Sequence, residues 1–194
     1  MKLPYPLILA STSKYRGALL SQLGWEFQAL APGVDEDQIK SQNLSPAQIA
    51  QTLSKLKAQA VFDQRPDACV IGSDQVCHLN GEIFGKPHTE ERAIEQLMRM
   101  QGKRHELLTA VTILCPLHKV TFLNITSLTM RPVTVKTLEE YVRADLPLDC
   151  AGSYKLESRG IKLFEQIQTS DHTAIIGLPL IELGNHLVKW GYPI

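Results

Sequence analysis

The sequence predicts an α/β fold, because short apolar runs alternate with well-marked helix starts. Residues 7–10 and 69–71 have the composition of strands that are buried on both faces. Between them, Ser45, Pro46 and Gln48 form a capping box that begins a helix. The chain has 194 residues, 44% of them hydrophobic, which suffices for one core. We therefore expect a single domain over residues 1–194.

The first half of the chain predicts a strand over residues 7–10 and a helix that begins at Lys14 with Ser13 as its N-cap. A second strand is expected over residues 27–31, and the capped helix from residue 46 follows. The buried strand at residues 69–71 should end just before Asp74. Ligands bind at such strand ends in α/β folds, so Asp74 is a candidate for chemistry, although it could merely open a turn.

The second half begins with a hairpin over residues 76–84, because Asn80-Gly81 is a preferred two-residue turn. Thr89 should cap a helix that runs to Met100. Two long strands are expected over residues 106–115 and 119–130, then a short helix opened by a capping box at Thr137. A strand over 160–167 and a last helix after residues 177–179 complete the prediction.

Composition excludes several classes of protein. Lys+Arg and Asp+Glu are 20 each, so a broad electrostatic grip on nucleic acid is not expected. The four cysteines form no CxxC pair, which argues against zinc and favours buried free thiols in a reducing compartment. The apolar run near the N-terminus is too short for a signal peptide or a membrane span. We expect a cytoplasmic protein without membrane contact.

Seven polar residues stand at the ends or flanks of predicted elements, where they could meet a ligand. Cations suit a polyphosphate, carboxylates suit a divalent metal ion, and an acid beside a buried strand suits general-base work, so together they indicate nucleotide hydrolysis. Each has a plainer explanation, as a helix cap, a solvated charge or a surface lysine. The residues are Ser11, Ser13, Arg16, Glu36, Lys57, Asp74 and Lys86.

These residues lie within motifs that resemble the Maf family of nucleoside triphosphate pyrophosphatases, in the same order and over about residues 7–190. The resemblance implies an α/β fold with a mixed, twisted sheet and two lobes around a cleft, similar to inosine triphosphate pyrophosphatase, and often a homodimer. The motifs are Leu7-Ile8-Leu9-Ala10-Ser11-Thr12-Ser13 with Arg16, Val34-Asp35-Glu36, Lys57-Ala58, Gly72-Ser73-Asp74-Gln75-Val76, Gly85-Lys86-Pro87, Ala151-Gly152-Ser153-Tyr154 and Ile176-Gly177-Leu178-Pro179.

By this resemblance, Asp74 corresponds to the catalytic acid of the family. The phosphate and metal residues correspond to the other six polar residues, with Glu36 and Asp74 as ligands of Mg²⁺ or Mn²⁺. Tyr15, Gln75 and Glu157 resemble the branch of the family that acts on 7-methyl-GTP, whereas the dTTP/UTP branch usually has Arg, Thr and Gln there. Two positions depart from the family pattern: Ala110 replaces the usual Gly, and Ser158 stands where Glu-Gly is usual.

The chemistry of the three base-pocket residues agrees with this branch. A 7-methylguanine ring is cationic, so Tyr15 could stack on it with a cation–π contribution. Glu157 could accept hydrogen bonds from the guanine N1–H and exocyclic amine, and Gln75 could donate or accept beside it. The hypothesis is a pyrophosphatase that removes non-standard nucleotides by converting 7-methyl-GTP to 7-methyl-GMP and pyrophosphate. A dTTP/UTP pyrophosphatase and a non-catalytic nucleotide-binding regulator of cell division are the alternatives.

Overall fold

The computed structural model describes residues 3–194, which form a mixed α/β structure. The strands are β1 (Leu7–Leu9), β2 (Phe27–Ala29), β3 (Cys69–Leu79), β4 (Glu82–Phe84), β5 (Arg104–Cys115), β6 (His118–Met130) and β7 (Phe164–Gln168). The helices are α1 (Lys14–Ser21), α2 (Glu36–Lys40), α3 (Pro46–Phe62), α4 (Glu90–Met100), α5 (Val135–Asp145), α6 (Thr173–Ile176) and α7 (Leu180–Lys189). A 3-10 turn over Arg159–Leu163 precedes β7.

The seven strands form one sheet in the order β2-β1-β3-β5-β6-β7, with β4 paired to β3. β1 is parallel to both of its neighbours, β2 and β3. The β3–β4 and β6–β7 pairs are antiparallel. The predicted α/β class with a mixed sheet and flanking helices is therefore confirmed.

By its internal contacts the chain divides into two compact units. Unit 1 contains the described residues up to Asp74, together with Thr109–Asn124 and Asp171–Ile194. Unit 2 contains Gln75–Leu108 and Ile125–Ser170. The chain passes from one unit to the other within β3, β5 and β6. The expectations of a single domain and of a cleft stay predictions.

The core of unit 1 follows from the alternation of side chains along β1. Leu7 and Leu9 are buried on one face of the strand, in a cluster to which α1 and α7 contribute their leucines. Ile8 and Ala10 are buried on the other face, together with Ala58 of α3 and Val70 of β3. Because both faces are covered, β1 and the start of β3 read as continuous apolar runs in the sequence.

The structure corrects three predicted elements. β3 does not end before Asp74 but runs over 11 residues from Cys69 to Leu79, where it enters the predicted Asn80-Gly81 hairpin. The capping box at Thr137 is wrong, because Thr134 is the N-cap and its side chain accepts from the Thr137 N–H. The strand expected over residues 160–167 begins only at Phe164, after the 3-10 turn.

The prediction of free thiols is wrong for two of the four cysteines. Cys69 of β3 and Cys115 of β5 form a disulfide. Both lie in unit 1, on neighbouring strands that the sequence separates by 46 residues. Spacing alone could not reveal this pair, since it depends on which strands adjoin. Cys77 and Cys150 are free thiols.

Candidate active site

The centre of the candidate site is an ion pair between Lys57 of α3 and Asp74 of β3. The Lys57 Nζ lies 2.6 Å from the Asp74 Oδ1, and both side chains are almost completely buried. In the sequence, Lys57 stands on the flank of the apolar stripe of its helix, where a surface position was the plainer expectation. Its burial shows that the ammonium is held inside unit 1 by a carboxylate, because an unpaired buried charge is too costly.

A glycine explains how the two residues meet. A Cβ atom at Gly72 would lie 2.4 Å from the Ser54 carbonyl oxygen and 2.5 Å from the Ala58 backbone nitrogen. Since no real side chain tolerates such distances, only glycine lets the backbone of α3 lie directly on β3. This close approach places Lys57, one residue before Ala58, beside Asp74, two residues after Gly72.

Glu36 joins the same ammonium from a different element. It is the first residue of α2, and Asp35 caps that short helix by accepting from the Asp37 and Gln38 N–H groups. The Glu36 Oε1 lies 2.6 Å from the Lys57 Nζ, and its Oε2 accepts from Lys40 at 2.7 Å. One ammonium therefore bridges the carboxylates of Glu36 and Asp74.

Burial separates the two carboxylates that share this ammonium. Burial of Asp74 raises its pKa, and the charges of Lys57 and Arg16 offset only part of that effect. For Glu36, hydrogen bonds from Lys40 and Lys57 outweigh its partial burial and lower its pKa to about 2. A carboxylate whose pKa is raised towards the working pH is the better general base, so Asp74 suits that role more than Glu36.

The guanidinium of Arg16 lies in the electrostatic reach of both carboxylates. Burial lowers the pKa of Arg16, while the charges of Asp74 and Glu36 oppose that shift. A guanidinium keeps its proton in proteins, so Arg16 is a cation beside the two carboxylates. Its Nε donates to the Gly177 carbonyl oxygen at 3.0 Å. The Ser73 hydroxyl donates to the same carbonyl at 2.9 Å. Gly177 thus orients Arg16 and the residue next to Asp74 together.

Sequence reasoning missed the segment that presents Gly177. The buried carboxylate of Asp171 accepts from the Thr173 backbone and hydroxyl on one side and from the Ile181 N–H on the other. The Thr173 hydroxyl in turn accepts from the Leu180 N–H at 2.8 Å. These bonds close residues 171–181 around Gly177. The Ile176-Gly177-Leu178-Pro179 motif indicates the place of this segment in the sequence but not its role.

The loop between β1 and α1 carries the other predicted residues of unit 1. Ser11 is buried and its hydroxyl accepts from the Ser13 N–H at 3.1 Å. Ser13 caps α1 by accepting from the Arg16 N–H at 3.4 Å. Tyr15 is half-buried, and the Lys14 ammonium lies 5.0 Å from the centroid of its ring. This ring already attracts a cation.

The remaining predicted residues belong to unit 2. Gln75 follows Asp74 along β3 and is half-buried. Lys86 is exposed after β4, and Glu157 is exposed in the turn before the 3-10 segment. Among the predicted site residues, the structure brings Glu36, Lys57 and Asp74, all of unit 1, into direct contact.

The donor chemistry of the cluster fits a hard divalent cation. Within the described part of the chain, no three histidine, cysteine or carboxylate side chains gather closely enough to hold a metal ion by themselves. Glu36 and Asp74 nevertheless converge, because each places one carboxylate oxygen 2.6 Å from the Lys57 Nζ. Mg²⁺ is commonly held by one or two carboxylates together with substrate phosphates and water, so these residues suit a metal that arrives with a nucleotide.

With the fold and these contacts defined, comparison with known proteins identifies the family. Residues 6–190 match the Maf family, described as Maf-like protein, and the chain belongs to this family. Among the described residues, none of the helices combines the length and apolarity that crossing a bilayer requires.

Several relatives share nearly the whole length of the chain. A 7-methyl-GTP pyrophosphatase of Bdellovibrio bacteriovorus is 51% identical over 93% of this chain and 95% of its own. Proteins of the same name from Xanthomonas axonopodis pv. citri and Pseudomonas putida are 45% and 40% identical, over 97% and 96% of this chain and 98% and 97% of their own. A HAM1 protein from Coxiella burnetii aligns with 95% of this chain and 99% of its own, at 10% identity and a TM-score of 0.48.

Proposed function

We propose that this protein hydrolyses the α–β phosphoanhydride of 7-methyl-GTP, giving 7-methyl-GMP and pyrophosphate, and so removes a non-standard nucleotide. The observation that carries the proposal is the buried Asp74–Lys57 ion pair, joined by the half-exposed Glu36, in a chain of the Maf family. Relatives at 40–51% identity that are named for this activity support the choice of substrate.

In the proposed reaction, the Asp74 carboxylate accepts a proton from the water whose oxygen attacks the α-phosphorus. The bond from this phosphorus to the bridging oxygen breaks, and its electron pair leaves with pyrophosphate. The raised pKa of Asp74 favours this proton transfer, because a base works best when its pKa lies near the working pH.

The cations of the chain stabilise charge that develops on the phosphates. Arg16 is held by the Gly177 carbonyl, and Lys57 by two carboxylates, so both are in place before substrate binds. Ser11, Ser13 and the exposed Lys86 are the further phosphate ligands that we propose. Mg²⁺ or Mn²⁺, bound through Glu36 and Asp74, would neutralise phosphate charge.

Tyr15, Gln75 and Glu157 are the residues that we propose for recognition of the base. The Lys14 ammonium near the Tyr15 ring supports the cation–π part of the proposal, since a methylated guanine offers the same charge to an aromatic face. Glu157 offers the matching negative charge and two acceptor oxygens to the guanine edge.

The test is a panel of 7-methyl-GTP, GTP, UTP and dTTP with Mg²⁺ or Mn²⁺, in which pyrophosphate and phosphate release are measured separately. We expect pyrophosphate release with 7-methyl-GTP as the best substrate. A preference for UTP or dTTP would reassign the base pocket, and nucleotide binding without any turnover would favour the regulator.

Metal removal gives a second test. Glu36 and Asp74 offer only carboxylate oxygens, which are the ligands that hard divalent cations prefer. If such a cation takes part in the reaction, excess chelator should abolish activity, and added Mg²⁺ or Mn²⁺ should restore it. Full activity in excess chelator would contradict the proposed metal site.

We also propose a cytoplasmic location, where nucleoside triphosphates are found. The Cys69–Cys115 disulfide is unusual for that compartment, so thiol titration of protein from freshly lysed cells would measure whether the two cysteines are oxidised there.

We further propose that the protein is a homodimer. Light scattering of the purified protein would measure the oligomeric state.

A further inference from the structure

The turn that carries Glu157, residues 155–160, is fastened to the end of α5 on both sides of that glutamate. We propose that Asp145, the last residue of α5, is a positioning residue for base specificity, which acts by fixing the Glu157 carboxylate. The inference rests on the proposed function, since it gives a further determinant of the same base pocket. All of these residues belong to unit 2.

On the C-terminal side of Glu157, the Asp145 carboxylate accepts two hydrogen bonds that tie the turn to α5. Its Oδ1 accepts from the Ser158 hydroxyl at 3.1 Å, and its Oδ2 accepts from the Arg159 backbone N–H at 2.9 Å. Both oxygens of one side chain therefore hold the two residues that directly follow Glu157. Ser158 departs from the family pattern, and its hydroxyl supplies one of these two bonds.

On the N-terminal side, Lys155 is held by the same stretch of helix. Its backbone N–H donates to the Tyr141 hydroxyl oxygen at 2.9 Å. Its ammonium donates to the carbonyl oxygens of Asp145 and Leu146, both at 3.0 Å, where the end of a helix carries partial negative charge.

The turn also closes on itself. The Lys155 carbonyl oxygen accepts from the Ser158 N–H at 3.3 Å and from the Gly160 N–H at 3.1 Å. The backbone on either side of Glu157 is thus fixed by bonds to α5 and by bonds within the turn.

The Glu157 side chain, unlike the backbone of its turn, is not fixed by hydrogen bonds within residues 3–194. It is exposed, and within residues 3–194 its carboxylate forms no hydrogen bond or ion pair. A ligand therefore displaces no partner and orders little backbone when it binds this carboxylate, which is the arrangement that favours selective recognition. If Asp145 releases the turn, Glu157 keeps its charge but loses its fixed position.

The first test is Asp145→Asn, which keeps the size of the side chain but replaces one acceptor oxygen by an amide that cannot accept a hydrogen bond. Glu140→Gln is the matched control, because it makes the same change of charge at an exposed position of α5. We expect Asp145→Asn to lower the ratio of kcat/KM for 7-methyl-GTP over UTP by about threefold to tenfold, the range for one hydrogen bond. The loss should appear in KM for 7-methyl-GTP, with kcat and the UTP reaction unchanged.

A double-mutant cycle separates positioning from a general structural effect. If Asp145 acts through Glu157, Asp145→Asn should not change the ratio any further in a Glu157→Gln background. Hydrogen exchange gives a readout that needs no substrate: the amides of residues 158–160 should exchange faster in Asp145→Asn than in Glu140→Gln.

The outcomes distinguish the inference from the function on which it rests. If the wild type prefers UTP, the proposed substrate is wrong and the inference falls with it. If the wild type prefers 7-methyl-GTP but Asp145→Asn keeps the ratio, or lowers it equally in the Glu157→Gln background, only the inference is overturned. Should Asp145→Asn not fold, Ser158→Ala, which removes one exposed hydrogen bond, must lower the ratio in the same direction, and an unchanged ratio would overturn the inference.

Discussion

The two units differ in the charge state of the buried ionisable side chains compared below. In unit 1, Asp74 and Lys57 are buried as a charged pair, with Glu36 and Arg16 close enough to balance them. In unit 2, burial shifts the pKa of His105 to about 4 and that of Cys77 to about 12, so both are neutral at physiological pH. The charge that we assign to recognition in unit 2, on Glu157, is exposed instead.

This difference follows from the cost of removing a charge from water. A buried charge persists only where an opposite charge or several hydrogen bonds replace the lost hydration, and otherwise the group becomes neutral. Unit 1 supplies such partners from three helices. We propose a matching division among the charged residues: the paired charges of unit 1 act on the phosphates, assisted by the exposed Lys86, whereas the charge of Glu157 in unit 2, which has no ion-pair partner within residues 3–194, selects the base. The predictions below test that division.

The largest effect is expected for Asp74→Asn, which keeps the shape of the side chain and removes the charge that accepts a proton. We expect kcat to fall by ~10²–10⁴-fold, the usual contribution of a general base. The fall should be equal for 7-methyl-GTP and UTP, because Asp74 is assigned to the reaction at the α-phosphorus, which both nucleotides share. The fold should persist, since Lys57 keeps Glu36 as a partner at 2.6 Å.

The control for this variant is Asp63→Asn, at an exposed carboxylate after α3 in the same unit. Steady-state kinetics with both nucleotides and thermal unfolding measure the outcome. Turnover near that of the wild type would remove Asp74 from catalysis, and unequal losses for the two nucleotides would break the proposed division of labour.

The next effect concerns His105, a buried and neutral side chain of unit 2. His105 is 1% exposed, its Nε2 lies 3.0 Å from the Tyr154 hydroxyl, and within the described residues its Nδ1 has no hydrogen-bond partner. Burial, and to a lesser extent the charge of His78, lower its pKa from 6.5 to about 4. Between these two pH values the unfolded chain binds more protons, so stability should decrease as the pH falls through this window. The decrease is at most about 3 kcal/mol, from 1.36 kcal/mol per pKa unit.

Urea unfolding at pH 7.5 and pH 4.5 measures this loss. A His105→Gln variant has no imidazole to protonate and should lose less stability on acidification than the wild type. A variant at the exposed His172, His172→Gln, is the control and should follow the wild type. Equal losses in wild type and His105→Gln would show that His105 is not the group responsible.

A smaller effect is expected for Gly177→Ala in unit 1. The φ of Gly177 is +120°, and an added Cβ would lie 3.4 Å from the Arg16 Nε. We expect a loss of about 1–3 kcal/mol in the free energy of unfolding from the strained backbone. Because strain at φ +120° would displace the Gly177 carbonyl oxygen that accepts from the Arg16 Nε, kcat/KM should also fall, equally for 7-methyl-GTP and UTP.

Gly184→Ala in helix α7 is the matched substitution, since among residues 3–194 its added Cβ would meet the Leu23 side chain alone, at 3.9 Å. That variant should be neutral or slightly stabilised, because alanine favours a helix. If Gly177→Ala behaves like Gly184→Ala in both unfolding and kinetics, the Gly177 carbonyl does not position Arg16.

The smallest effect is expected for Glu157→Gln, which removes the charge that we assign to the methylated base. The ratio of kcat/KM for 7-methyl-GTP over UTP should fall by roughly tenfold, because one charge-assisted hydrogen bond is weakened. The value of kcat should change little, since the proposed general base, Asp74, belongs to unit 1. Glu165→Gln, at an exposed carboxylate of β7, should leave the ratio unchanged. An equal loss for both nucleotides would assign Glu157 to catalysis or to folding.

Local signals in the sequence predicted most of the elements. The capping box at Ser45 and the Asn80-Gly81 turn depend on neighbouring residues only, and the structure confirms both. One local signal misled: the sequence predicted a capping box at Thr137, but the structure begins the helix three residues earlier, with Thr134 as the N-cap. The start of β7 was misplaced because the 3-10 turn over Arg159–Leu163 is held by Asp145, a distant residue in the sequence.

By itself, the sequence determined the α/β class, the order of the main elements and the residue types available for chemistry. Only the tertiary structure decided that β3 continues through Asp74, because a charge can stay inside a buried strand when Lys57 from α3 neutralises it. The tertiary structure also decided the Cys69–Cys115 pair and the Gly177 carbonyl that holds Arg16. Each of these depends on which distant segments pack together, and side-chain patterns along the chain carry no information about such contacts beyond the need to bury apolar surface and pair charges.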